Sequence, residues 1–159
     1  MRRFQFVGRN IDDTERLGQV LAAELPNRTT IALHGTLGAG KTRLVQAVAV
    51  ACEVPRASVV SPTFVLCQEY YGRRTIYHFD AYRLASDDEF QQLGPEEYFA
   101  SPALVFIEWA ERVQNSLPNE RLEISIEVSG DNERTFEIVG IGQRHESVLD
   151  SIQRRLSIV

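Results

Sequence analysis

The eight residues GTLGAGKT, at positions 35–42, constrain this chain more than any other stretch of its sequence. Gly35, Gly40, Lys41 and Thr42 match the pattern G-x-x-x-x-G-K-[ST] at every specified position. The apolar run TTIALH precedes the motif, and RLVQAVAVAC, which has a helical period, follows it. Because the pattern needs a strand before it and a helix after it, we expect a phosphate-binding loop in an α/β fold rather than a bare tight turn.

Each position of the motif has a physical role in holding a phosphate. Glycine accepts positive φ and lets backbone N–H groups approach an anion without a Cβ in the way. Together with the positive end of the following helix, such amides bind phosphates. The loop amides belong to Thr36, Leu37, Gly38, Ala39 and Gly40. Lys41 is expected to reach the β- and γ-phosphates and the Thr42 hydroxyl to bind Mg²⁺. The predicted ligands are therefore Mg²⁺ and a nucleoside triphosphate, with ATP favoured over GTP because the chain has no N/T-K-x-D segment.

Hydrophobic periodicity along the rest of the chain predicts a single three-layer α/β domain over residues 1–159. Together with the phosphate-binding loop, this predicts a P-loop NTPase domain. Asp12 and Glu15 resemble a capping arrangement at the start of a first helix. The predicted strands are Thr30–His34, Thr63–Tyr71, Thr75–Phe79, Ala103–Ile107, Leu122–Val128 and Thr135–Ile141. We expect a mixed, mainly parallel sheet with a late antiparallel strand pair. An amphipathic helix over residues 143–159 either covers the sheet or contacts a partner.

Composition and charge restrict the class of protein. A formal net charge of −5 does not suggest a strongly basic nucleic-acid-binding face. The start MRRFQFVGRN lacks an apolar segment of the secretory type, and no run approaches the roughly 18 apolar residues of a membrane span. Cys52 and Cys67 lack any metal-ligand spacing. We therefore expect reduced, buried thiols in a cytoplasmic protein that does not enter a membrane.

Two acidic residues follow predicted strands. Glu108 comes directly after the apolar run ALVFI, where a P-loop enzyme places an acid for Mg²⁺. The alternative is a surface pair with Arg112, one helical turn later, which would contribute only about 0.3–0.5 kcal/mol. Asp80 ends the other strand and is expected to orient water, unless it pairs with Arg83 for structural reasons.

For two aromatic residues close to these acids in the sequence, two roles are possible. His78 lies two residues before Asp80 in HFDAYRL, and it is interpreted either as part of the site or as a core histidine. Trp109 directly follows Glu108 and is interpreted either as a core residue or as a surface anchor.

An ordered series of motifs resembles the TsaE (YjeE) family of bacterial P-loop ATPases. The motifs are GTLGAGKT, SPTF (Ser61–Phe64), EYY (Glu69–Tyr71), HFDAYRL (His78–Leu84) and IEWAER (Ile107–Arg112). The resemblance runs from about Asp12 to Arg134. It implies an ATPase that supports formation of threonylcarbamoyladenosine at position 37 of tRNAs reading codons that begin with adenine. It also implies that the protein acts with TsaD and TsaB in a TsaB–TsaD–TsaE assembly, and that tRNA is an indirect partner.

The resemblance also assigns roles to individual residues. Catalysis is assigned to Lys41, Asp80, Glu108 and Thr63, with Thr42 and Glu108 binding Mg²⁺. The SPTF segment is a switch near the γ-phosphate, contacted through Thr63. Residues near the nucleotide are Asn10, Thr14 and Arg134, in addition to the loop. Thr36 stands where family members often have aspartate, so we expect altered tuning rather than lost binding.

Three rival functions stay open on the sequence alone. A small-molecule kinase needs an acceptor pocket and usually a lid, and no long lid insertion is present. A GTPase commonly needs an N/T-K-x-D segment, whereas Lys41 is the only lysine of the chain. A nucleotide-sensing adaptor is close to the favoured interpretation because no arginine finger is evident, and we therefore expect slow hydrolysis unless partners assist.

Overall fold

The computed structural model describes residues 1–59 and 66–157, which build one seven-stranded sheet with helices on both faces. The strands are β1 (Arg2–Gly8), β2 (Thr29–His34), β3 (Cys67–Tyr71), β4 (Thr75–Asp80), β5 (Leu104–Glu108), β6 (Arg121–Val128) and β7 (Arg134–Ile141). The helices are α1 (Ile11–Glu24), α2 (Lys41–Ala51), α3 (Asp87–Gln91), α4 (Pro95–Ala100) and α5 (Gln143–Leu156). Short 3₁₀ segments lie at Arg56–Ser58 and Ala110–Ser116.

The strand order is β1-β7-β6-β2-β5-β4-β3. Strand β2 runs parallel to β5 and β6, and β4 runs parallel to β5. The remaining pairs, β1–β7, β6–β7 and β3–β4, are antiparallel. The mixed sheet and the late antiparallel pair are thus confirmed, but the mainly parallel sheet is wrong, since three of the six pairings are antiparallel. Part of the difference is β1, a strand that the hydrophobic pattern did not predict.

Two hydrophobic clusters separate the layers. Helices α1, α2 and α5 cover one face of the sheet, and α3, α4 and the segment Ala110–Ser116 contribute to the cluster on the other. Strand β5 alternates between them: Leu104 and Phe106 belong to the first cluster, Val105 and Ile107 to the second. The next residue in this alternation, Glu108, therefore faces the same side as α2.

The first helix begins two residues earlier than the Asp12 pattern indicated. Asn10 is its N-cap, and its side-chain oxygen accepts a hydrogen bond from the Asp13 N–H at 3.0 Å. The predicted capping role of Asp12 is therefore wrong. Asp12 and Asp13 instead lie in the first turn, where a negative charge favours the helix dipole.

The terminal helix α5 lies against the sheet edge rather than away from it. Arg2 of β1 pairs with Asp150 at 2.6 Å and donates a hydrogen bond to Gln153 at 2.5 Å. Of the two interpretations of this segment, the structure shows the one in which the helix covers the sheet. Both cysteines are free, but only Cys52 is buried, because Cys67 lies on the half-exposed edge strand β3. Within residues 1–59 and 66–157, no helix is long and apolar enough to cross a membrane.

Gly18 of α1 packs directly against Ala47 of α2, so alanine at position 18 should destabilise the protein although alanine is normally favoured over glycine in a helix. Alanine at a helical glycine normally stabilises by about 0.5–1 kcal/mol. A Cβ at position 18, however, would lie 2.6 Å from the Ala47 Cβ and 2.9 Å from the Ala47 carbonyl carbon. We expect Gly18→Ala to lower the free energy of unfolding in urea by about 1–3 kcal/mol.

The matched control is Gln19→Ala, at an exposed position of the same helix, which should change the unfolding free energy by less than about 0.5 kcal/mol. A Gly18→Ala protein as stable as the wild type would mean that the two helices separate at no cost.

Candidate nucleotide site

The loop between β2 and α2 is a cradle of glycines in the left-handed region. Gly35, Gly38 and Gly40 have φ of 151°, 81° and 114°. A Cβ on Gly35 would lie 2.7 Å from the Ile126 carbonyl oxygen, so packing excludes a side chain there. A Cβ on Gly38 or Gly40 would meet no atom within 4 Å. Gly38 and Gly40 are therefore required for the positive φ of the backbone and not for lack of space, and the space beside them is free for a ligand that binds the loop amides.

Lys41, the first residue of α2, folds back onto this loop and is only 4% exposed. Its ammonium group donates hydrogen bonds to the Gly35 carbonyl and, at 3.4 Å, to the Thr36 carbonyl. The indole ring of Trp109 covers the same ammonium, with 3.7 Å between Nζ and the ring centroid. The cation is thus held by two carbonyl dipoles and an aromatic face at the mouth of the cradle.

The protonation of Lys41 reflects two opposing effects. Burial lowers the pKa of Lys41 by disfavouring the charged amine, and this effect is the largest. The carboxylates of Glu108, Glu111 and Asp80 act in the other direction, and the net pKa stays below the ordinary lysine value. Three carboxylates therefore favour the protonated form of the one lysine of the chain.

Trp109 reaches Lys41 through a strained backbone. It has a φ of 57° although it carries a bulky side chain, a conformation that is costly and tends to occur at functional sites. Its ring lies 5.0 Å from the ring of Tyr82, which in turn faces the guanidinium of Arg112 at 5.2 Å. Trp109 is thus half-buried over the loop. It is neither the fully buried core residue nor the exposed surface anchor that the sequence allowed.

Glu108 meets Thr42 across the sheet edge, so the two residues predicted to bind Mg²⁺ lie next to each other. The Thr42 hydroxyl donates a hydrogen bond to Glu108 Oε2 at 2.6 Å, and the imidazole Nε2 of His78 lies 2.5 Å from the same oxygen. Burial by itself raises the pKa of Glu108, but His78, Thr42 and Lys41 together hold the pKa below its usual value. The alternative pairing with Arg112 is wrong, since the charge is stabilised from inside the protein.

Asp80 ends β4 and lies opposite Glu108 in the parallel register of β4 and β5. Its Oδ1 accepts a hydrogen bond from the Tyr82 N–H at 3.0 Å, which orients the carboxylate at the strand end. Both predicted acids thus reach the edge of the sheet where the loop and Lys41 lie. Thr63 and the rest of SPTF lie outside the described residues.

A cleft of about 620 Å³ opens beside the loop. The predicted residues that line it are Asn10, Thr14, Gly38, Ala39, Gly40 and Arg134. Thr36 and Leu37 form the exposed tip of the loop instead, and Leu37 is 81% exposed. Arg134 donates a hydrogen bond from Nε to the Ala39 carbonyl at 3.0 Å, which ties the start of β7 to the loop.

The cleft is also lined by Ile11 and Asp12, which lie between Asn10 and Thr14, and by four residues that the sequence did not indicate: Arg9, Arg43, Asn132 and Phe136. Arg9 and Arg43 adjoin predicted site residues, so their positions were an available signal. Asn132 and Phe136 flank Arg134 and carry no such signal. The three arginines around the cleft give it a positive lining beside the acidic strand ends.

Comparison with known proteins identifies similar sequences and a similar fold. The model of the family described as "Threonylcarbamoyl adenosine biosynthesis protein TsaE" matches residues 9–136. A Bacillus subtilis protein named tRNA threonylcarbamoyladenosine biosynthesis protein TsaE is 34% identical over 159 residues, covering 99% of each chain. A Treponema pallidum protein of the same name is 38% identical over 132 residues, covering 83% of this chain and 97% of its own.

Among solved structures, the crystal structure of YdiB from Bacillus subtilis superimposes with a TM-score of 0.81 at 29% sequence identity. The match covers 96% of this chain and 95% of that one. The sheet and its helices therefore follow an architecture that is already known from experiment.

Proposed function

The chain belongs to the TsaE family, whose role lies in tRNA threonylcarbamoyladenosine biosynthesis, and from that membership we propose that it is a Mg²⁺-dependent P-loop ATPase. It acts with TsaD and TsaB in forming the threonylcarbamoyl group on adenosine 37 of tRNA. The observation that carries the proposal is the convergence of the glycine cradle, Lys41, Thr42 and Glu108 at one edge of the sheet.

The residues of the loop suit the triphosphate end of a nucleotide. The open amides at Gly38 and Gly40 and the N-terminus of α2 attract the phosphate oxygens. When the nucleotide binds, the Lys41 ammonium leaves its carbonyl partners and binds the β- and γ-phosphate oxygens. Its positive charge then stabilises the negative charge that accumulates on these oxygens during hydrolysis.

The chemistry of Thr42 and Glu108 suits a hard divalent cation. A hydroxyl has one proton and two lone pairs. Because the Thr42 proton is donated to Glu108, the lone pairs of Oγ1 are available to a ligand. When bound there, Mg²⁺ supplies charge neutralisation at the β- and γ-phosphoryl oxygens. The lowered pKa of Glu108 keeps the carboxylate ionised, as oxygen coordination requires.

The cleft next to the loop suits the adenosine end. Its volume of about 620 Å³ falls in the usual range for small-molecule sites, and Phe136 offers it an apolar ring. Arg134 positions the loop through the Ala39 carbonyl at the junction of cleft and cradle. Asn10 caps α1 at the opposite wall, so its side chain is already engaged in fixing that wall.

The hydrolytic step is assigned to water oriented by Asp80, with Thr63 as a further candidate from the SPTF segment. Asp80 lies opposite Glu108 at the sheet edge where Lys41 also lies. Water attacks the γ-phosphorus, and the bond to the bridging oxygen breaks to give ADP and inorganic phosphate. Because Lys41 starts in contact with Gly35, Thr36 and Trp109, we expect this step to be slow in the isolated chain.

The test is an assay of phosphate release by the purified chain, alone and with TsaD and TsaB, in the presence and absence of tRNA. We expect slow release alone and faster release with both partners, since groups supplied in trans raise P-loop hydrolysis by about 10³–10⁵. Equal rates with and without the partners would argue against activation. A phosphorylated metabolite in place of free phosphate would favour a kinase, and tight ATP binding without turnover would favour the adaptor.

A further inference from the structure

The imidazole of His78 is fully buried and hydrogen-bonds to the carboxylate of Glu108. It lies in the middle of β4, paired with Gln68 on one side and Phe106 on the other, and is 0% exposed. Its Nε2 lies 2.5 Å from Glu108 Oε2, whereas Nδ1 has no partner among the described residues. A buried polar ring is costly unless it is hydrogen-bonded, so the contact with Glu108 is what makes this histidine tolerable in the sheet.

Two hydrogen-bond donors, one on a helix and one on a strand, contact the same oxygen of Glu108. Thr42 reaches Oε2 from the first turn of α2, and His78 reaches it from a central position of β4. Because the partner is an ionised carboxylate, the proton of the imidazole belongs on Nε2, which donates. A carboxylate with two donors on one oxygen has its plane and direction fixed, and here both donors are attached to rigid elements.

We propose that His78 is a positioning residue: its Nε2–H holds Glu108 in the orientation in which Glu108 and Thr42 present oxygen atoms to a divalent cation. The inference rests on the proposed function, because it concerns the Mg²⁺ of the same site. Hydrogen bonds to a metal-ligating carboxylate commonly set metal affinity, and their loss costs about 10- to 100-fold. The core-histidine interpretation is thereby extended, because a purely structural histidine would stabilise the sheet without affecting the cation.

A matched pair of amide variants separates these roles. His78→Gln places its amide N–H near the position of Nε2 and keeps the donor. His78→Asn is equally polar, but its amide reaches only as far as Nδ1, so the bond to Glu108 is lost. The measurement is calorimetric binding of a non-hydrolysable ATP analogue, once with Mg²⁺ and once with EDTA, for both variants and the wild type.

We expect His78→Asn to lose about 10- to 100-fold in affinity for the analogue with Mg²⁺ while its affinity in EDTA is unchanged. His78→Gln should stay within about 3-fold of the wild type in both conditions, because the orienting donor is retained. Equal losses with Mg²⁺ and with EDTA, or no loss in either, would overturn the role assigned to His78. A wild-type chain that binds no analogue at all would instead refute the proposed function.

A second measurement uses the wild type and so does not depend on the variants folding. The ring nitrogens of the three histidines are labelled with ¹⁵N, and the His78 signals are assigned in the wild-type protein through their connectivity to the backbone resonances. We expect a protonated Nε2 whose resonance shifts when the analogue is added with Mg²⁺ and not when it is added with EDTA. A proton on Nδ1, or a resonance insensitive to Mg²⁺, would contradict the proposal.

Discussion

A Lys41→Ala variant is expected to lose ATP hydrolysis by about 100- to 1,000-fold, the usual effect of removing one preorganised group that stabilises developing charge. Lys41 is the only lysine of the chain and the cation at the mouth of the glycine cradle. The fold should persist, because the carbonyls of Gly35 and Thr36 that lose their donor lie in a loop near solvent. Phosphate release and circular dichroism, measured on the same preparation, check both expectations.

Lys41→Arg is the matched control for charge. It retains the cation, but the planar guanidinium cannot replace a compact ammonium between the loop and the indole of Trp109. We expect an activity between those of the wild type and the alanine variant. Unchanged hydrolysis in a folded Lys41→Ala protein would remove Lys41 from the mechanism.

Glu108→Gln is expected to have the second largest effect, a loss of hydrolysis of about 100-fold or more. Glutamine keeps the size of the side chain and an oxygen that accepts the Thr42 hydrogen bond, but it loses the charge that favours a cation. Binding of ATP in EDTA should be unchanged or tighter, because a carboxylate near the phosphates has been neutralised. Parallel titrations of hydrolysis and binding against Mg²⁺ test this difference.

The control for Glu108→Gln is Glu111→Gln, which makes the same change of charge near Lys41. Glu111 pairs with His34 Nδ1 at 2.9 Å, whereas the Thr42 hydroxyl bonds to Glu108, so the response to Mg²⁺ should stay that of the wild type. If both variants lowered hydrolysis equally, general electrostatics rather than a cation ligand would explain the effect. If neither did, Glu108 would have no part in the reaction.

The local parts of this site were predictable because they are contiguous in sequence. The loop and the start of α2 occupy residues 35–42, and the glycines in this stretch indicate directly where the backbone has positive φ. The meeting of Thr42 and Glu108, 66 residues apart, was also predictable, because parallel strand ends gather at one edge of a sheet. Their hydrogen bond required only that both elements be identified correctly.

Other features depend on pairings that a single sequence does not display. Strand β1 contributes only Phe4 and Phe6 as large inward-facing residues, and its partner β7 lies more than a hundred residues away. The bond between His78 and Glu108 depends on the register of β4 against β5, which sets Asp80 opposite Glu108. Neither the register nor the extra strand follows from hydrophobic periodicity alone.

A lone, shielded amine also makes this molecule a simple object for chemical footprinting. Apart from the α-amino group at Met1, which pairs with Glu146 at 3.0 Å, Lys41 offers the chain's single primary amine. Amine-selective acylating reagents therefore have a single lysine to modify, and it lies under an indole ring at the mouth of the phosphate cradle. The mass of one proteolytic peptide consequently reports whether that mouth is open or covered.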